Sequence, residues 1–219
     1  MKINHQPQVI FLDAVGTIFG VKNTVGDVYT QIAKKYGANR EAEIINNYFY
    51  QAFKNSPPLA FETENEEEIK ELEFEWWQNI TYNTFNQDNK IQEFTNFKDF
   101  FIELYNHFKT SQPWVIYDEV ISSLNHWQKQ GIELGIISNF DTRIYEVLDN
   151  LNLKQYFQTI TISSITGVAK PHPKIFKIAL AKHNCKPENS WYIGDSAKED
   201  YWGAKSLGMQ SFWLKRRNS

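Results

Sequence analysis

Short apolar runs occur in two parts of the chain, at its start and throughout its second half. The first run, Val9 to Leu12, directly precedes Asp13. Continuous hydrophobic runs of this length are typical of strands that helices cover on both faces. Strands separated by amphipathic helical patterns predict right-handed crossovers, and therefore an α/β fold with a parallel sheet. The later runs span residues 133–138, 156–162, 190–194 and 211–214.

The stretch between these two parts, from about Thr24 to Lys109, shows helical periodicity alone. Thr24 is placed to cap a first helix, and Gly37 to end it. Three further amphipathic patterns follow, each with aromatic residues on its apolar side. The predicted domains are an α/β core of residues 1–20 and 111–219 and an all-helical insert of residues 21–110.

The composition places the chain among ordinary globular proteins. Its 219 residues, 42% hydrophobic and 22% charged with a formal net charge of −3, can bury one good core plus a small accessory domain. The aromatic share of 16%, with seven Trp, fits either a heavily aromatic core or a recessed aromatic pocket, and we favour the core because Trp and Tyr are mainly packing residues. The only basic run is the terminal Lys215, Arg216 and Arg217, which we expect to form a solvated tail. We therefore predict no nucleic-acid partner.

Two features indicate the compartment. The single cysteine, Cys185, cannot form an internal disulfide, and a reducing cytosol is the simplest setting for such a chain. Residues 1–8 are polar, and the apolar run after them is too short for a secretory signal or a membrane span. We therefore predict a cytoplasmic protein with no membrane partner.

Polar residues stand at or just beyond the ends of the predicted strands: Asp13, Ser138, Lys170 and Asp195, with Asp200 one helical turn further on. Taken singly, Asp13 could cap a turn, Lys170 could lie on the surface and Asp195 could cap the next helix. Their shared position favours a site, because ligands of open α/β sheets bind at the carboxyl ends of the strands. A carboxylate, a hydroxyl, an ammonium and further carboxylates suit a phosphoryl-like group beside a divalent cation.

The motifs around these residues resemble those of the haloacid dehalogenase superfamily. In chain order they are D-A-V-G-T at Asp13, I-I-S-N at Ser138, A-K-P-H-P at Lys170, and G-D-S-A-K-E-D followed by G-A-K-S-L-G-M. Their order and spacing agree with the family over nearly the whole chain. The resemblance implies a flavodoxin-like core, a mobile helical cap inserted after the first motif, and Mg²⁺ as cofactor.

The resemblance also implies a role for each matching residue. Asp13 would be the nucleophile that forms a covalent aspartyl intermediate, and Lys170 would offset the charge that builds on nucleophile and substrate. The implied metal ligands are carboxylate oxygens of Asp13 and Asp195, the main-chain carbonyl of Val15, and Asp200 either directly or through water. The implied substrate-binding residues are Ser138, Asn139 beside it, and Thr17, which also holds the turn.

One position departs from the family's phosphatases, which carry a second aspartate where this chain has Val15. That aspartate is the general acid for the leaving alkoxide and then the base for water. Loss of a positioned acid and base typically costs about 10² to 10⁴ in rate. We therefore expect slow turnover of ordinary sugar-phosphate esters.

The D-A-V-G-T motif also resembles those of the dehalogenase and phosphonatase branches, whose leaving groups need no proton. Halide-displacing relatives lack the G-D motif and use a cap arginine, whereas the one arginine of the predicted cap, Arg40, falls in a loop. Phosphonatases need a desolvated cap lysine, and Lys34 and Lys35 belong to a polar helix end. The sequence thus predicts a Mg²⁺-dependent hydrolase of a small phosphorylated metabolite. The alternatives are a dehalogenase-like or phosphonatase-like hydrolase and a catalytically weak module that binds anion and metal.

Overall fold

The computed structural model describes residues 6–87 and 89–216. By its internal contacts the chain divides into two compact units. The first comprises residues up to 20, 59–64 and from 116 onward, and the second comprises residues 21–58 and 65–115. The domain limits predicted from the sequence stay a prediction.

In chain order the strands are β1 (Val9–Leu12), β2 (Phe19–Val21), β3 (Trp114–Ile116), β4 (Glu133–Ser138), β5 (Thr159–Ile162), β6 (Ser190–Gly194) and β7 (Gln210–Trp213). The α-helices are α1 (Val25–Ala33), α2 (Ala42–Asn55), α3 (Glu66–Asn86), α4 (Phe97–His107), α5 (Val120–Lys129), α6 (Ile144–Asn150), α7 (Ser163–Thr166), α8 (Pro173–Lys182) and α9 (Gly203–Lys205). A π-helix, Ala197–Trp202, precedes α9. Short 3₁₀ turns cover Lys34–Tyr36, Lys90–Glu93, Lys154–Tyr156 and Pro187–Asn189.

The first unit contains a five-stranded parallel sheet in the order β5-β4-β1-β6-β7. The predicted α/β class with a parallel sheet and flanking helices is therefore confirmed. Strand β1 lies at the centre of the sheet. Every residue of its V-I-F-L run is buried, as expected of a strand covered on both faces. On one face, Phe11 and Tyr192 pack with Phe176 of α8 in a cluster of buried residues.

The register of this sheet brings the ends of the central strands together. Leu12 is paired with Ile136 of β4 on one side and with Ile193 of β6 on the other. The residues that follow these pairs therefore emerge at one edge of the sheet. This edge is the carboxyl end of the strands, where the sequence predicted a site.

Several elements differ from the sequence prediction. The strand predicted from residue 156 begins only at Thr159, because Lys154–Tyr156 forms a 3₁₀ turn. Strands β2 and β3 pair in a separate two-stranded sheet that was not predicted, since three residues are too few to show a period. The helix predicted after Asp195 begins as a π-helix before it continues as α9.

The second unit is built from α1 to α4, as the helical periodicity predicted. Thr24 forms a capping box with Asp27 at the start of α1. Gly37, with φ of +87°, ends the 3₁₀ turn that follows, in a left-handed conformation that glycine adopts without steric cost. Phe85 and Phe100 are buried with their rings edge to face, 5.4 Å apart. This packing confirms the predicted aromatic core.

The basic C-terminal run is not uniformly solvated. Lys215 is exposed, but only 16% of the Arg216 side chain is accessible, so the prediction is wrong for Arg216. Arg217 lies outside the described residues. In the part of the chain that the structure describes, no helix combines the length and the apolar character needed to cross a membrane.

Candidate active site

Three of the predicted site residues meet at the carboxyl edge of the sheet. Asp13 directly follows β1, Ser138 is the last residue of β4, and Lys170 stands just before α8. The Ser138 hydroxyl donates to Oδ1 of Asp13 at 3.0 Å, and the Lys170 ammonium donates to the same oxygen at 2.7 Å. Two donors on one oxygen fix the plane of the Asp13 carboxylate, whose residue is only 6% exposed.

Lys170 also connects Asp13 to Asp200. Its Nζ donates to Oδ1 of Asp200 at 2.6 Å, and its side chain is 2% exposed. Asn139 holds the backbone of this lysine, because its Oδ1 accepts from the Lys170 amide at 2.7 Å and its Nδ2 donates to the Lys170 carbonyl at 3.1 Å. Asn139 therefore fixes the main chain of Lys170, and this helps to position the ammonium at the end of its side chain.

The turn after β1 is closed by the carbonyl of Ala14, which accepts from the amides of residues 17 to 19. Gly16 has φ of +88°, in the left-handed region. A Cβ at Gly16 would also collide with the carboxylate of Asp195. The small residue thus lets the loop that carries Asp13 pack directly against the loop that carries Asp195.

Val15 and Thr17 flank that glycine. The Val15 residue is 36% exposed, and no donor among the described residues contacts its carbonyl oxygen. Thr17 is buried, with its hydroxyl 3.5 Å from Oδ2 of Asp13, which is longer than an ordinary O–H···O hydrogen bond. Oδ2 of Asp13 is therefore held much less tightly than Oδ1.

The acidic side chains form a candidate cation site. Asp13, Asp195 and Asp200 each offer a carboxylate oxygen, and these oxygens lie within 4.8 Å of one another. Together with Lys170 they carry a formal charge of −2 when all four groups are ionised. Carboxylate oxygens are the ligands that Mg²⁺ prefers, so the residues present fit this ion. Oδ2 of Asp200 already accepts from the Ser196 amide at 2.9 Å.

The pKa values of these side chains also indicate a cation site. Burial raises the pKa of Asp13 from 3.8 to about 6, although the Lys170 ammonium acts in the opposite direction. Burial also disfavours the charged form of Lys170, but Asp13 and Asp200 outweigh it and raise the pKa of that ammonium above its ordinary value. The pKa of Asp195 is raised by burial and by Asp200. The raised pKa values of Asp13 and Asp195 disfavour their ionised forms, and a bound cation would favour them.

Tyr192 is a site residue that the sequence analysis missed. Its hydroxyl accepts from Lys170 Nζ at 2.9 Å, and Oδ1 of Asp200 and the carbonyl of Ile137 lie at 2.9 and 3.0 Å as acceptors for its proton. Burial and the Asp200 carboxylate raise the pKa of Tyr192 well above its ordinary value, so it stays protonated. A tyrosine inside an apolar strand gives only a weak sequence signal, because most such residues are packing residues.

Replacing Tyr192 with Phe is expected to lower stability by about 1 to 3 kcal/mol, because buried polar groups lose a partner. Urea unfolding of the variant measures this difference. The matched control is Tyr156→Phe, whose hydroxyl makes an exposed contact of 3.4 Å with Asn125. Equal stability of the two variants would show that the Tyr192 hydroxyl contributes nothing to the network.

Glu199 is a second acid at this edge that was not predicted. Its Oε2 accepts from Asn139 Nδ2 at 3.3 Å, and burial raises its pKa above the ordinary value. It lies in the π-helix directly before Asp200. The sequence signal for Glu199 is its place in the G-D-S-A-K-E-D motif, between Asp195 and Asp200.

Comparisons with known proteins identify relatives of the whole chain. A family model described as haloacid dehalogenase-like hydrolase matches residues 7–208. The chain is 28% identical over 207 residues to the Bos taurus haloacid dehalogenase-like hydrolase domain-containing protein 3, covering 94% of this chain and 81% of that protein. Over 89 residues, 40% of this chain and 37% of the relative, it is 42% identical to the Pyrococcus furiosus glyceraldehyde 3-phosphate phosphatase.

Solved structures agree on the fold. The crystal structure of a HAD phosphatase from Thermococcus onnurineus matches with a TM-score of 0.64, covering 97% of this chain and 88% of that chain. The sequence identity in that match is 21%, so the likeness concerns the fold alone.

Proposed function

Because this chain belongs to the haloacid dehalogenase-like hydrolase family, we propose that it is a Mg²⁺-dependent phosphatase-type hydrolase acting through a covalent intermediate on Asp13. The substrate class is a small phosphorylated metabolite. The observation that carries the proposal is the pair of donors, Ser138 and Lys170, that fix Oδ1 of Asp13 beside two further carboxylates. A relative that is a phosphatase by name, similar over part of this chain, supports the same reaction class.

In the proposed first step, a carboxylate oxygen of Asp13 attacks phosphorus. A new O–P bond forms, the bond from phosphorus to the leaving oxygen breaks, and that oxygen departs with the electron pair. Water then attacks the aspartyl phosphate, which releases inorganic phosphate and restores the Asp13 carboxylate. Lys170 offsets the negative charge of Asp13 during both steps, and Ser138 keeps the carboxylate oriented.

The proposed metal ligands are Asp13, Asp195, the carbonyl of Val15, and Asp200 directly or through water. When bound, Mg²⁺ would offset the negative charge shared by the phosphoryl group and the carboxylates. The Val15 carbonyl, which accepts no hydrogen bond from the described residues, and the clustered carboxylate oxygens support this assignment. Asn139, which holds the Lys170 backbone, and Thr17, which lies against Asp13, are the other proposed substrate-site residues.

Val15 restricts the substrates that the proposed site should handle well. A valine side chain cannot protonate a leaving alkoxide or take a proton from water, and its residue is partly exposed beside the nucleophile. Leaving groups that are stable as anions avoid this cost. We therefore infer that acyl phosphates and similar substrates with good leaving groups are preferred over alkyl phosphate esters.

With Mg²⁺ present, we expect acetyl phosphate to be hydrolysed with a kcat/KM about 10² to 10⁴ times that of glyceraldehyde 3-phosphate, because only the alkyl ester needs a general acid. p-Nitrophenyl phosphate should resemble acetyl phosphate. Phosphate release measures all three rates, and Asp13→Asn reports the background. Equal rates for the acyl phosphate and the alkyl ester would contradict the inference drawn from Val15.

Val15 also favours a second candidate function, displacement of halide from a 2-haloacid, since a halide leaves without a proton. The proposed assay separates the two. Metal-independent, Asp13-dependent release of chloride from 2-chloropropionate would favour the dehalogenase. If no phosphorylated substrate gives Asp13-dependent release of phosphate, the phosphatase proposal is wrong.

A further inference from the structure

The end of β7 and the residues that follow it contact both loops of the candidate site. The Leu214 amide donates to the Gly194 carbonyl at 2.8 Å, which extends the sheet pairing by one residue. The indole Nε1 of Trp213 donates to the main-chain carbonyl of Asp195 at 2.8 Å. The loop that carries Asp195 is thus held from outside by a side chain of the C-terminal strand.

Arg216 makes the matching contacts to the other loop. Its Nε donates to the Gly16 carbonyl at 2.9 Å, and its Nη2 donates to the Thr17 carbonyl at 2.6 Å. The guanidinium lies over the ring of Tyr117, 3.3 Å from the ring centre. A planar fork of donors suits two neighbouring carbonyls, and a lysine cannot reproduce that geometry.

An ordinary surface ion pair does not explain this arrangement. Nη2 of Arg216 also lies 2.7 Å from Oε1 of Glu119, but that side chain is 54% exposed. Exposed ion pairs contribute little to stability, because solvent and salt screen them. The contacts that distinguish Arg216 are therefore those to the Gly16 and Thr17 carbonyls.

The two loops held in this way are the ones that bring acidic side chains together. They touch where Gly16 packs against the Asp195 carboxylate, and the carboxylates of Asp13 and Asp195 repel each other across this contact. Repulsion favours separation of the loops whenever no cation lies between them. Contacts that fix both loops on their outer sides oppose that separation.

We propose that Trp213 and Arg216 are positioning residues that hold the Asp13 loop and the Asp195 loop at the spacing needed to bind a divalent cation. This inference rests on the proposed function in one respect, namely that the carboxylates bind Mg²⁺. It goes beyond that function by assigning the C-terminal segment a role in the affinity of the site. We assign neither residue a direct contact with the substrate or the ion.

The test measures Mg²⁺ binding itself. Metal-free wild type, Arg216→Ala, Trp213→Phe and Lys215→Ala are titrated with MgCl₂ in a calorimeter, without substrate. Trp213→Phe removes only the indole donor and keeps an aromatic ring. Lys215→Ala is the matched control for charge, because it removes an exposed positive charge from the same segment. Its Nζ lies 3.9 Å from the centre of the Trp213 ring, and its removal leaves the Trp213 Nε1 donor and the Arg216 guanidinium in place.

We expect the Kd for Mg²⁺ to rise about 10- to 100-fold in Arg216→Ala and in Trp213→Phe, and to change less than about twofold in Lys215→Ala. Added guanidinium ion, at a concentration too low to unfold the protein, should restore binding in Arg216→Ala and not in Trp213→Phe. With acetyl phosphate, the loss of turnover should be reduced by excess Mg²⁺. Circular dichroism confirms that each variant is folded.

The outcomes are distinguishable. An unchanged Kd in folded Arg216→Ala and Trp213→Phe, with normal binding by wild type, overturns the positioning role and leaves the proposed function standing. An equal loss in Lys215→Ala also overturns it, because that variant keeps both the Arg216 guanidinium and the Trp213 Nε1 donor. Failure of the wild type to bind Mg²⁺ overturns both proposals.

Discussion

Asp13→Asn is expected to lower turnover of acetyl phosphate by at least about 10⁴-fold, as removal of a covalent nucleophile does in other hydrolases. An amide has the shape of the carboxylate but not its nucleophilic charge. The donors that fix Oδ1, Ser138 and Lys170, remain in place. Phosphate release under saturating substrate measures the loss, and retention of more than a small fraction of activity would exclude Asp13 as the nucleophile.

The same substitution is expected to stabilise the metal-free protein at neutral pH. Since the folded-state pKa of Asp13 is raised from 3.8 to about 6, the folded protein binds a proton more tightly than the unfolded chain does. Stability contributed by this group is therefore present at low pH and is lost as pH rises through about 6. One pKa unit corresponds to about 1.36 kcal/mol, so ionisation of Asp13 costs roughly 3 kcal/mol of stability.

Because asparagine is neutral, Asp13→Asn avoids this cost. Its Tm without metal should exceed that of wild type by about 6 °C or more at neutral pH. The difference should shrink as the pH falls below 6, where Asp13 itself is protonated. Mg²⁺ should raise the Tm of wild type and leave that of the variant nearly unchanged. Asp149→Asn, in an exposed ion pair with Lys154, is the matched control. A lower Tm for Asp13→Asn at neutral pH would contradict the electrostatic argument.

Val15→Asp is expected to raise kcat/KM for alkyl phosphate esters by about 10² to 10⁴, because it supplies an acid for the leaving alkoxide in the transfer to Asp13. The position accepts a charged side chain, since the residue is 36% exposed. Acetyl phosphate should gain much less, because its leaving group needs no proton.

The control for this substitution is Val15→Asn, which matches aspartate in size and cannot transfer the proton. Rates for glyceraldehyde 3-phosphate and acetyl phosphate are compared across wild type and both variants. A similar gain in kcat/KM in Val15→Asn, or an equal gain for both substrates, would show that the change does not act by protonating the leaving group. No gain at all would mean that the missing acid is not what limits ester hydrolysis.

The sequence predicted the residues at the strand ends because two simple patterns coincide there. Asp13, Ser138 and Asp195 each follow or end an apolar run, and parallel strands align their carboxyl ends. The register of β1 with β4 and β6 then decides which of these side chains meet. The hydrogen bonds between Asp13, Ser138 and Lys170 agree with that expectation.

Other parts of the site leave no such pattern. The Tyr192 ring looks like core packing in the sequence, and only the folded chain shows that its hydroxyl reaches Lys170 and Asp200. Arg216 looks like a solvated charge at the end of the chain, yet it binds carbonyls of a loop 200 residues earlier. Contacts over such separations depend on the path of the whole backbone, which local periodicity does not encode.

The central place of β1 has a consequence for biosynthesis. Its two neighbours in the sheet begin only at Glu133 and Ser190, so β1 is synthesised long before either strand with which it pairs. Pairing over such a separation is slow, whereas the helices of the second unit form from local contacts. Until β4 is made, Val9–Leu12 is an unpaired apolar strand, the kind of segment that chaperones protect and that aggregates when they do not.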